Sequence, residues 1–370
     1  MQRKDRYIII MAGGRGERFW PVSRERKPKQ LITLLGDRSF LQQTVDRVKP
    51  VAPLENIFII TNTVQAAAVR RQLPELPKRN IIGEPCGRDT CAAVALGAAL
   101  VGARSGNGVM AVLPADHVIP NENKFRRVLI DSMALAKREP ALVTIGIQPH
   151  EPATGYGYIQ VGNKLTKFSA KSLKSTFFTA KKFVEKPNLA TAKRYLKSGN
   201  YRWNAGMFIW SYETIAAEFC RQQPKLFAAA EKWRGIRGLA NLNAALAGDY
   251  PKLEKISVDY AIMENARNIV CADGVFGWDD LGSWPALARH LKPDVAGNCA
   301  VGNLVQVDSA NNVVFDARTR NRAPIALVGI SEMIVVQTDD ATLVAHKSES
   351  QKIKQIVAHL AKAKRFTHLV

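Results

Sequence analysis

The 370-residue sequence predicts an α/β fold: a Rossmann-like, mixed and mainly parallel sheet over residues 1–293, then a small, short β-helix-like C-terminal β unit over residues 294–370. Three observations predict it. Apolar strand-like runs alternate with helix-like runs through the first two-thirds, the pattern of a sheet covered on both faces. A glycine loop follows the first apolar run directly, where ligands bind in such sheets. After about residue 293 the texture shifts to short β-rich runs punctuated by Asn and Gly.

In chain order, Tyr7–Met11 reads as a buried first strand, Phe40–Val48 as a helix, Ile57–Thr61 as a strand and Val64–Leu73 as a helix. The Ala-rich stretch Ala92–Arg104 reads as a helix, Val109–Pro114 as a strand, Phe125–Lys137 as a helix and Ala141–Ile147 as a strand, with insertions beyond. In the C-terminal unit the short strands are Val301–Val307, Asn312–Phe315, Ile325–Val328, Met333–Thr338 and Thr342–Ala345. Their pattern suits two or three coils of a β-helix and equally a small β-sandwich cap. Ser350–Lys364 reads as a closing amphipathic helix with Ile353, Ile356, Val357 and Leu360 along one face.

Composition narrows the function classes. Hydrophobic residues make up 46% and charged residues 23%, a globular balance, and no stretch of eighteen apolar residues suggests a membrane span. The apolar part of the N-terminus, Ile8–Ala12, is too short for a signal-peptide core. Cys86, Cys91, Cys220, Cys271 and Cys299 are scattered, with no CxxC pair, which fits a cytoplasmic protein without structural zinc. The formal charge of +21 raises nucleic-acid binding. Yet the basic residues are spread along the chain, clustering only locally at 24–29 and 362–365, and no zinc-finger, homeodomain or RNP-like pattern accompanies them. A basic surface around one anionic small-molecule site is the simpler expectation, with no specific nucleic acid and no membrane as partners.

The chemistry starts at MAGGRGERFWPVSRERKPKQ, residues 11–30. Gly13, Gly14 and Gly16 let backbone N–H groups approach a ligand, and Arg15, Arg18 and Lys29 can neutralise phosphate oxygens. The spacing fails the dinucleotide fingerprint, because Phe19 stands where the last glycine belongs, and it fails the P-loop pattern, because no glycine precedes a Lys-Ser/Thr pair. Hydride transfer and P-loop ATPase chemistry lose support.

With its ordered motifs GEPCGRDT (83–90), PADHVI (114–119), TGYGYI (154–159), FVEKP (183–187), WNAGMFIW (203–210), SVDYAIME (257–264) and WDDLGSW (278–284), the chain resembles the sugar nucleotidyltransferases over nearly its whole length. Within them it resembles the mannose-1-phosphate guanylyltransferases, or GDP-mannose pyrophosphorylases. The resemblance implies transfer of GMP from GTP to mannose 1-phosphate with Mg2+ as cofactor. It implies nucleotide binding by Ala12, Gly13, Gly14, Arg15, Gly16, Glu84, Pro85, Arg88, Asp89 and Thr90, and a metal pair of Asp116 and Asp280, the second lying two residues after Trp278. It also implies that Lys186 binds the sugar phosphate and Glu185 the sugar hydroxyls, with Tyr156, Gly157 and Asn204 in the sugar pocket. Trp203, Phe208 and Trp210 read as core. Asp279 is the alternative metal ligand, and Asp116 could by itself be a turn cap. The family usually carries Asn at the place of Asp89, which weakens the implied guanine contact; the Asp could accept hydrogen bonds from the base or cap the following helix. Pro187 is expected to keep Lys186 in extended backbone.

The implied reaction is in-line attack of a sugar 1-phosphate oxygen on the α-phosphorus, with Arg18, Lys29 and Lys186 supplying positive charge and no covalent enzyme intermediate. Other readings are the same reaction with another hexose or heptose 1-phosphate or another nucleotide, and a non-catalytic nucleotide-binding regulatory subunit. The presence of Asp116, Asp280 and Lys186 favours an enzyme over the latter. The lack of a His-rich metal motif before Val370 suggests a chain without a cupin-like isomerase domain. Sequence gives no oligomeric state, although an apolar run such as Met333–Val336 often marks subunit packing, which leaves a homodimer open.

Overall fold

The first apolar run forms β1 (Arg6–Ala12), in which Ile8, Ile9 and Ile10 are fully buried, as a strand covered on both faces requires. The computed structural model describes residues 1–166, 173–320 and 323–370. Contacts divide them into two units: residues 1–13 with 43–279, and residues 14–42 with 280–370. Among the described residues no helix is long and apolar enough to cross a membrane.

In the first unit β1 is flanked in parallel by β2 (Ile57–Asn62) and by β4 (Val109–Pro114), and β2 by β3 (Ile81–Glu84). The four-residue β3 is absent from the sequence reading because too few residues precede Pro85 to show a period. Beyond β4 come β5 (Leu142–Ile147), β6 (Tyr158–Lys164), β7 (Phe177–Val184), β8 (Tyr201–Ser211) and β9 (Ile269–Asp273), and the full order is β3-β2-β1-β4-β8-β5-β9-β7-β6. The pairings run β1 to β6 and β9 one way and only β7 and β8 against them. β6 also pairs with the start of β8, so this half of the sheet curls back on itself.

The helices cover the sheet much as the spacing predicts. α1 (Phe40–Val48) is followed by α2 (Thr63–Gln72) and α3 (Asp89–Ser105), which begins three residues before the expected start. Small residues let α3 lie close to the sheet: a Cβ on Gly97 would stand 2.8 Å from Ile9 Cγ2. α4 (Glu122–Arg138) also starts earlier than expected, because the Asn121 side chain accepts the Lys124 N–H at 3.0 Å and caps it. The remaining longer helices are α5 (Leu189–Ser198), α6 (Tyr212–Gln222), α7 (Pro224–Gly235) and α8 (Leu239–Asp249). Trp203, Phe208 and Trp210 are buried core, as expected.

In the second unit β12 (Val313–Asp316) pairs in parallel with β10 (Cys299–Val301) and β14 (Met333–Gln337), and β11 (Leu304–Val307) with β13 (Ile325–Val328); β15 (Thr342–His346) closes β14 antiparallel. Stacked parallel rungs of this kind are a β-helix-like arrangement rather than a sandwich. Buried Asn312 ties successive turns, donating through its backbone N–H and its Nδ2 to Asn298 Oδ1 (2.9 Å each) and accepting Met333 N–H (2.9 Å). Two expectations are corrected. The single strand Val301–Val307 is broken at Gly302, whose φ of 111° turns the chain between β10 and β11. Met333–Val336 is not an exposed apolar face: Ile334, Val335 and Val336 are buried in β14, which lies between β12 and β15. The closing helix is α9 (Ile353–Lys362), preceded by a 3-10 turn over Lys347–Lys352 instead of starting at Ser350.

Candidate functional site

The glycine loop leaves the carboxyl end of β1, and Ala12 is the last, buried residue of that strand. In the first unit a Cβ on Gly13 would stand 3.2 Å from Glu84 Oε2, so the loop begins beside the carboxylate that ends β3. Glu84 is buried and its Oε1 accepts the Tyr250 hydroxyl at 2.9 Å. Burial pushes its carboxyl up to about 7, against the pull of the Tyr250 hydrogen bond and with a further push from Asp89. Tyr250 was not foreseen; 166 residues separate it from Glu84.

The turn that follows, with half-buried Pro85, is held by Arg88, whose Nε donates to Tyr250 O (3.0 Å) and whose Nη2 donates to Pro251 O. Asp89 is exposed and has a left-handed φ of 61°. Its Oδ1 accepts the Thr90 N–H at 2.7 Å, so the carboxylate binds the first turn of α3 from inside the helix. Thr90 Oγ1 accepts Val258 N–H at 2.9 Å.

The raised Glu84 pKa has a consequence for stability. The folded chain holds this proton more tightly than the unfolded chain between about pH 4.5 and 7, so stability falls as pH rises through that window, by about 3 kcal/mol at most. Glu84→Gln removes this share. Between about pH 5 and 8 the urea midpoint of the wild type is expected to fall further than that of the variant. Parallel midpoints would contradict the assignment.

In the second unit the loop continues through Gly14, Arg15 and Gly16. Gly16 has φ 62°, and a Cβ there would stand 2.7 Å from the Lys29 backbone N, so only glycine fits. Gln30 Nε2 donates to Gly14 O at 3.0 Å, and Ser23 Oγ to Gly16 O at 2.7 Å. Lys29 is buried; its Nζ lies over the rings of Phe40 and Phe19 (5.5 and 5.9 Å) and donates to Asp280 O at 2.5 Å. Arg18 Nη1 donates to Gly282 O at 3.4 Å. A Cβ on Gly282 would lie 3.3 Å from Asp280 Oδ2 and 3.8 Å from Arg18 Nη1. Arg18, Lys29 and Asp280 thus gather around one turn, in which Leu281 has a left-handed φ of 44°. Arg15 stays apart from them, its guanidinium 3.7 Å from Glu17 and 4.0 Å from Glu25.

A second group in the first unit collects the residues expected at the sugar. Asn204 N–H donates to Gly157 O (2.8 Å), its Nδ2 donates to Asp259 Oδ1 (2.8 Å), and its Oδ1 accepts Thr144 Oγ1 and Gly206 N–H (3.1 Å each). Lys186 Nζ pairs with Glu185 Oε1 at 2.7 Å. Glu185 Oε2 is buried and has no hydrogen-bond partner among the described residues. A Cβ on Gly157 would run into that oxygen. Burial works against the Lys186 charge, but the Glu185 carboxylate outweighs it and raises the Lys186 pKa. Burial first, then the charge of Glu185, pushes the Asp259 carboxyl up to about 7, although Asn204 and Lys186 oppose the shift. Lys186 departs from expectation: its φ is 46°, left-handed rather than extended, despite the following proline, and its ammonium pairs with Glu185.

Asp116 follows β4 and is half-buried, and the preceding Ala115 prolongs the β1–β4 pairing by donating its N–H to Met11 O (3.1 Å). Tyr156 belongs to a row of edge-to-face rings: His117 on Trp278 (5.3 Å), Trp278 on Tyr156 (5.2 Å), Tyr156 on Trp203 (5.0 Å). Trp278 Nε1 donates to His117 Nδ1 at 3.0 Å. Asp279 is buried and exchanges backbone hydrogen bonds with Val118 (2.9 and 3.1 Å). Asp259 and Glu264, whose Oε1 accepts Glu185 N–H at 3.4 Å, were within reach of sequence reading, because both lie in the SVDYAIME string. Nothing in that string distinguished them from helix surface.

Residues 7–295 match the family model described as nucleotidyl transferase, and residues 302–360 match one described as MannoseP isomerase/GMP-like beta-helix domain. Xanthan biosynthesis protein XanB of Xanthomonas campestris pv. campestris (strain B100) is 37% identical over 361 residues, 96% of this chain and 73% of that protein. Mannose-1-phosphate guanylyltransferase of Escherichia coli (strain K12) is 36% identical over 376 residues, 100% of this chain and 76% of that protein. A crystal structure from Thermus thermophilus, titled as a mannose-1-phosphate geranyltransferase, matches with a TM-score of 0.83 at 34% identity, covering 96% of this chain and 99% of the other.

Proposed function

The chain belongs to the nucleotidyl transferase family, and from that premise we propose that it transfers GMP from GTP to mannose 1-phosphate, giving GDP-mannose and pyrophosphate. What carries this reading is the likeness, over the whole chain, to an enzyme named for that reaction. The site supports it with a cation cluster at the glycine loop, and with a buried carboxylate oxygen awaiting a donor beside a lysine. All the residues assigned below lie within 1–293, which we take as the transferase domain, with 294–370 as the β unit.

For the nucleotide we assign, in the first unit, Ala12, Gly13 and the Glu84–Thr90 turn, and in the second unit the backbone from Gly14 to Gly16 with Arg15, Arg18 and Lys29 as cations for the triphosphate. Lys29 and Arg18 have a second task, since both hold carbonyls of the 280–282 turn and so fix Asp280. Arg88 acts by fixing the turn through Tyr250 and Pro251. With its carboxylate on Thr90 N–H, Asp89 can still accept from a base through its remaining lone pairs.

Asp116 and Asp280 present hard carboxylate oxygens, which suit Mg2+, an ion that takes one or two carboxylates and completes its shell with phosphate and water. Among the described residues no three or more His, Cys, Asp or Glu side chains cluster as a ready-made metal cage. When bound, the ion neutralises phosphate charge. Asp279 fits the role less well, being buried.

For the acceptor, Lys186 takes the phosphate of mannose 1-phosphate, and Glu185 Oε2 accepts a sugar hydroxyl. Asn204 holds Gly157 and Asp259 in place, and Tyr156 presents an aromatic face. A sugar phosphate oxygen then bonds to the α-phosphorus while the bond from that phosphorus to the bridging oxygen of pyrophosphate breaks. The phosphate is already an anionic nucleophile, so the side chains position and neutralise, and none removes a proton.

The test is a pyrophosphate-release screen of four nucleoside triphosphates against mannose, glucose and galactose 1-phosphates, with Mg2+ added or omitted. GTP with mannose 1-phosphate and Mg2+ is expected to give the fastest release. Absence of release from that pair would refute the proposal.

A further inference from the structure

Outside the residues assigned to transfer, three arginines meet at one cavity of the first unit. A cavity of about 370 Å3 is lined by Arg79, Arg104 and Arg237 and by apolar residues that include Phe58, Trp233 and Leu242. The last three are 1%, 3% and 6% exposed, so they form its floor, while the three arginines are exposed at its rim. Among the described residues no Asp or Glu lines it. Among the described residues Arg104 donates to the neutral acceptors Glu55 O (3.1 Å) and Asn80 Oδ1 (3.2 Å), and its guanidinium lies 5.2 Å from the centre of the Phe58 ring. Partial burial first, and then the nearby charge of Arg79, lowers the Arg104 pKa. Gly238 and Leu239, at the start of α8, line the same cavity, and the first turn of α8 carries neither an acidic residue nor a side-chain cap. Trp233 Nε1 donates to Asp249 Oδ2 (3.0 Å), whose carboxylate is paired with Lys232, so the nearest carboxylate on the floor is already engaged, and an anion entering the cavity would meet three guanidinium groups above an apolar floor.

We propose that this cavity is a second ligand site, for an organic phosphate: one or more phosphoryl groups on a flat apolar body. The guanidinium forks match phosphate oxygens in bidentate geometry, which lysines would not do as well. The apolar body covers Phe58, Trp233 and Leu242 and excludes water from the ion pairs, strengthening them. None of the lining residues is among those assigned to transfer, so the site stands or falls independently of that reading.

The probe is 1-naphthyl phosphate, titrated into the full chain by calorimetry, with inorganic phosphate and 1-naphthol as single-feature controls. The wild type is expected to bind naphthyl phosphate at least about tenfold more tightly than either control. The Arg79→Ala/Arg237→Ala double variant, altered only at exposed positions, is expected to lose about tenfold or more in affinity. Lys29→Met, a change confined to the transfer site, is expected to leave binding unchanged. Equal affinity in wild type and double variant overturns the proposal, as does loss in Lys29→Met, which would put the probe in the transfer site. Inorganic phosphate binding as tightly as naphthyl phosphate would also overturn it, by removing the role of the apolar floor.

Discussion

Asp280→Ala is expected to lower the turnover of nucleotide-sugar formation by about 10^3-fold, about 4 kcal/mol of transition-state stabilisation, while the thermal unfolding midpoint stays near that of the wild type. The size of the effect follows from what shares the turn. The Asp280 carboxylate lies beside Gly282 and near Arg18 Nη1, and its carbonyl receives the buried Lys29 ammonium. Alanine keeps the carbonyl and its hydrogen bond, so the turn retains its anchor, but removes the oxygens proposed to face the metal. The fold is therefore spared and the chemistry is not. A readout independent of turnover is the paramagnetic signal of Mn2+ bound in place of Mg2+, which should weaken in Asp280→Ala and persist in Asp279→Asn. Turnover within a few-fold of wild type, with Mn2+ binding intact, would remove Asp280 from the site.

Lys186→Ala is expected to lower kcat/KM for the sugar 1-phosphate by about 10^2- to 10^3-fold, with KM for the nucleotide nearly unchanged. The ammonium is the only cation paired with Glu185 in the described ion pairs, and removing it also leaves the mostly buried Glu185 carboxylate without compensation. A purely structural role for the pair would lower stability and affect both substrates alike. Gly157→Ala separates the two cases, because its added Cβ runs into Glu185 Oε2 without altering any charge. It is expected to raise KM for the sugar 1-phosphate and leave the nucleotide KM alone. Equal changes for both substrates in either variant would contradict an acceptor role for this group.

Much of this site is legible in the chain because its parts are local. Gly16 announces itself through a loop that only glycine can follow, and the structure gives the reason: the left-handed φ and the Lys29 backbone against the missing Cβ. The strand ends before Gly13 and Asp116 are set by apolar runs long enough to read. Tyr250 could not be read in this way, since its link to Glu84 joins residues 166 apart and no local period encodes it. Lys186 was legible as a residue but not as a conformation. Local sterics before a proline favour extended backbone, whereas the folded chain sets this residue at a left-handed φ.

By itself, then, the order of short strings and the alternation of apolar runs determined the α/β class, the β-rich C-terminal unit, the glycine loop and the family resemblance, because each depends on neighbours within a few residues. Only the tertiary structure decided that residues 14–42 group with 280–370, that Glu84 meets Tyr250, that Asp259 and Glu264 join Glu185, and that three arginines from three separate segments share one cavity. Those facts rest on contacts between distant segments, whose cost and reward appear only when the whole chain packs, and a burial or charge effect has no signature in a single stretch of sequence.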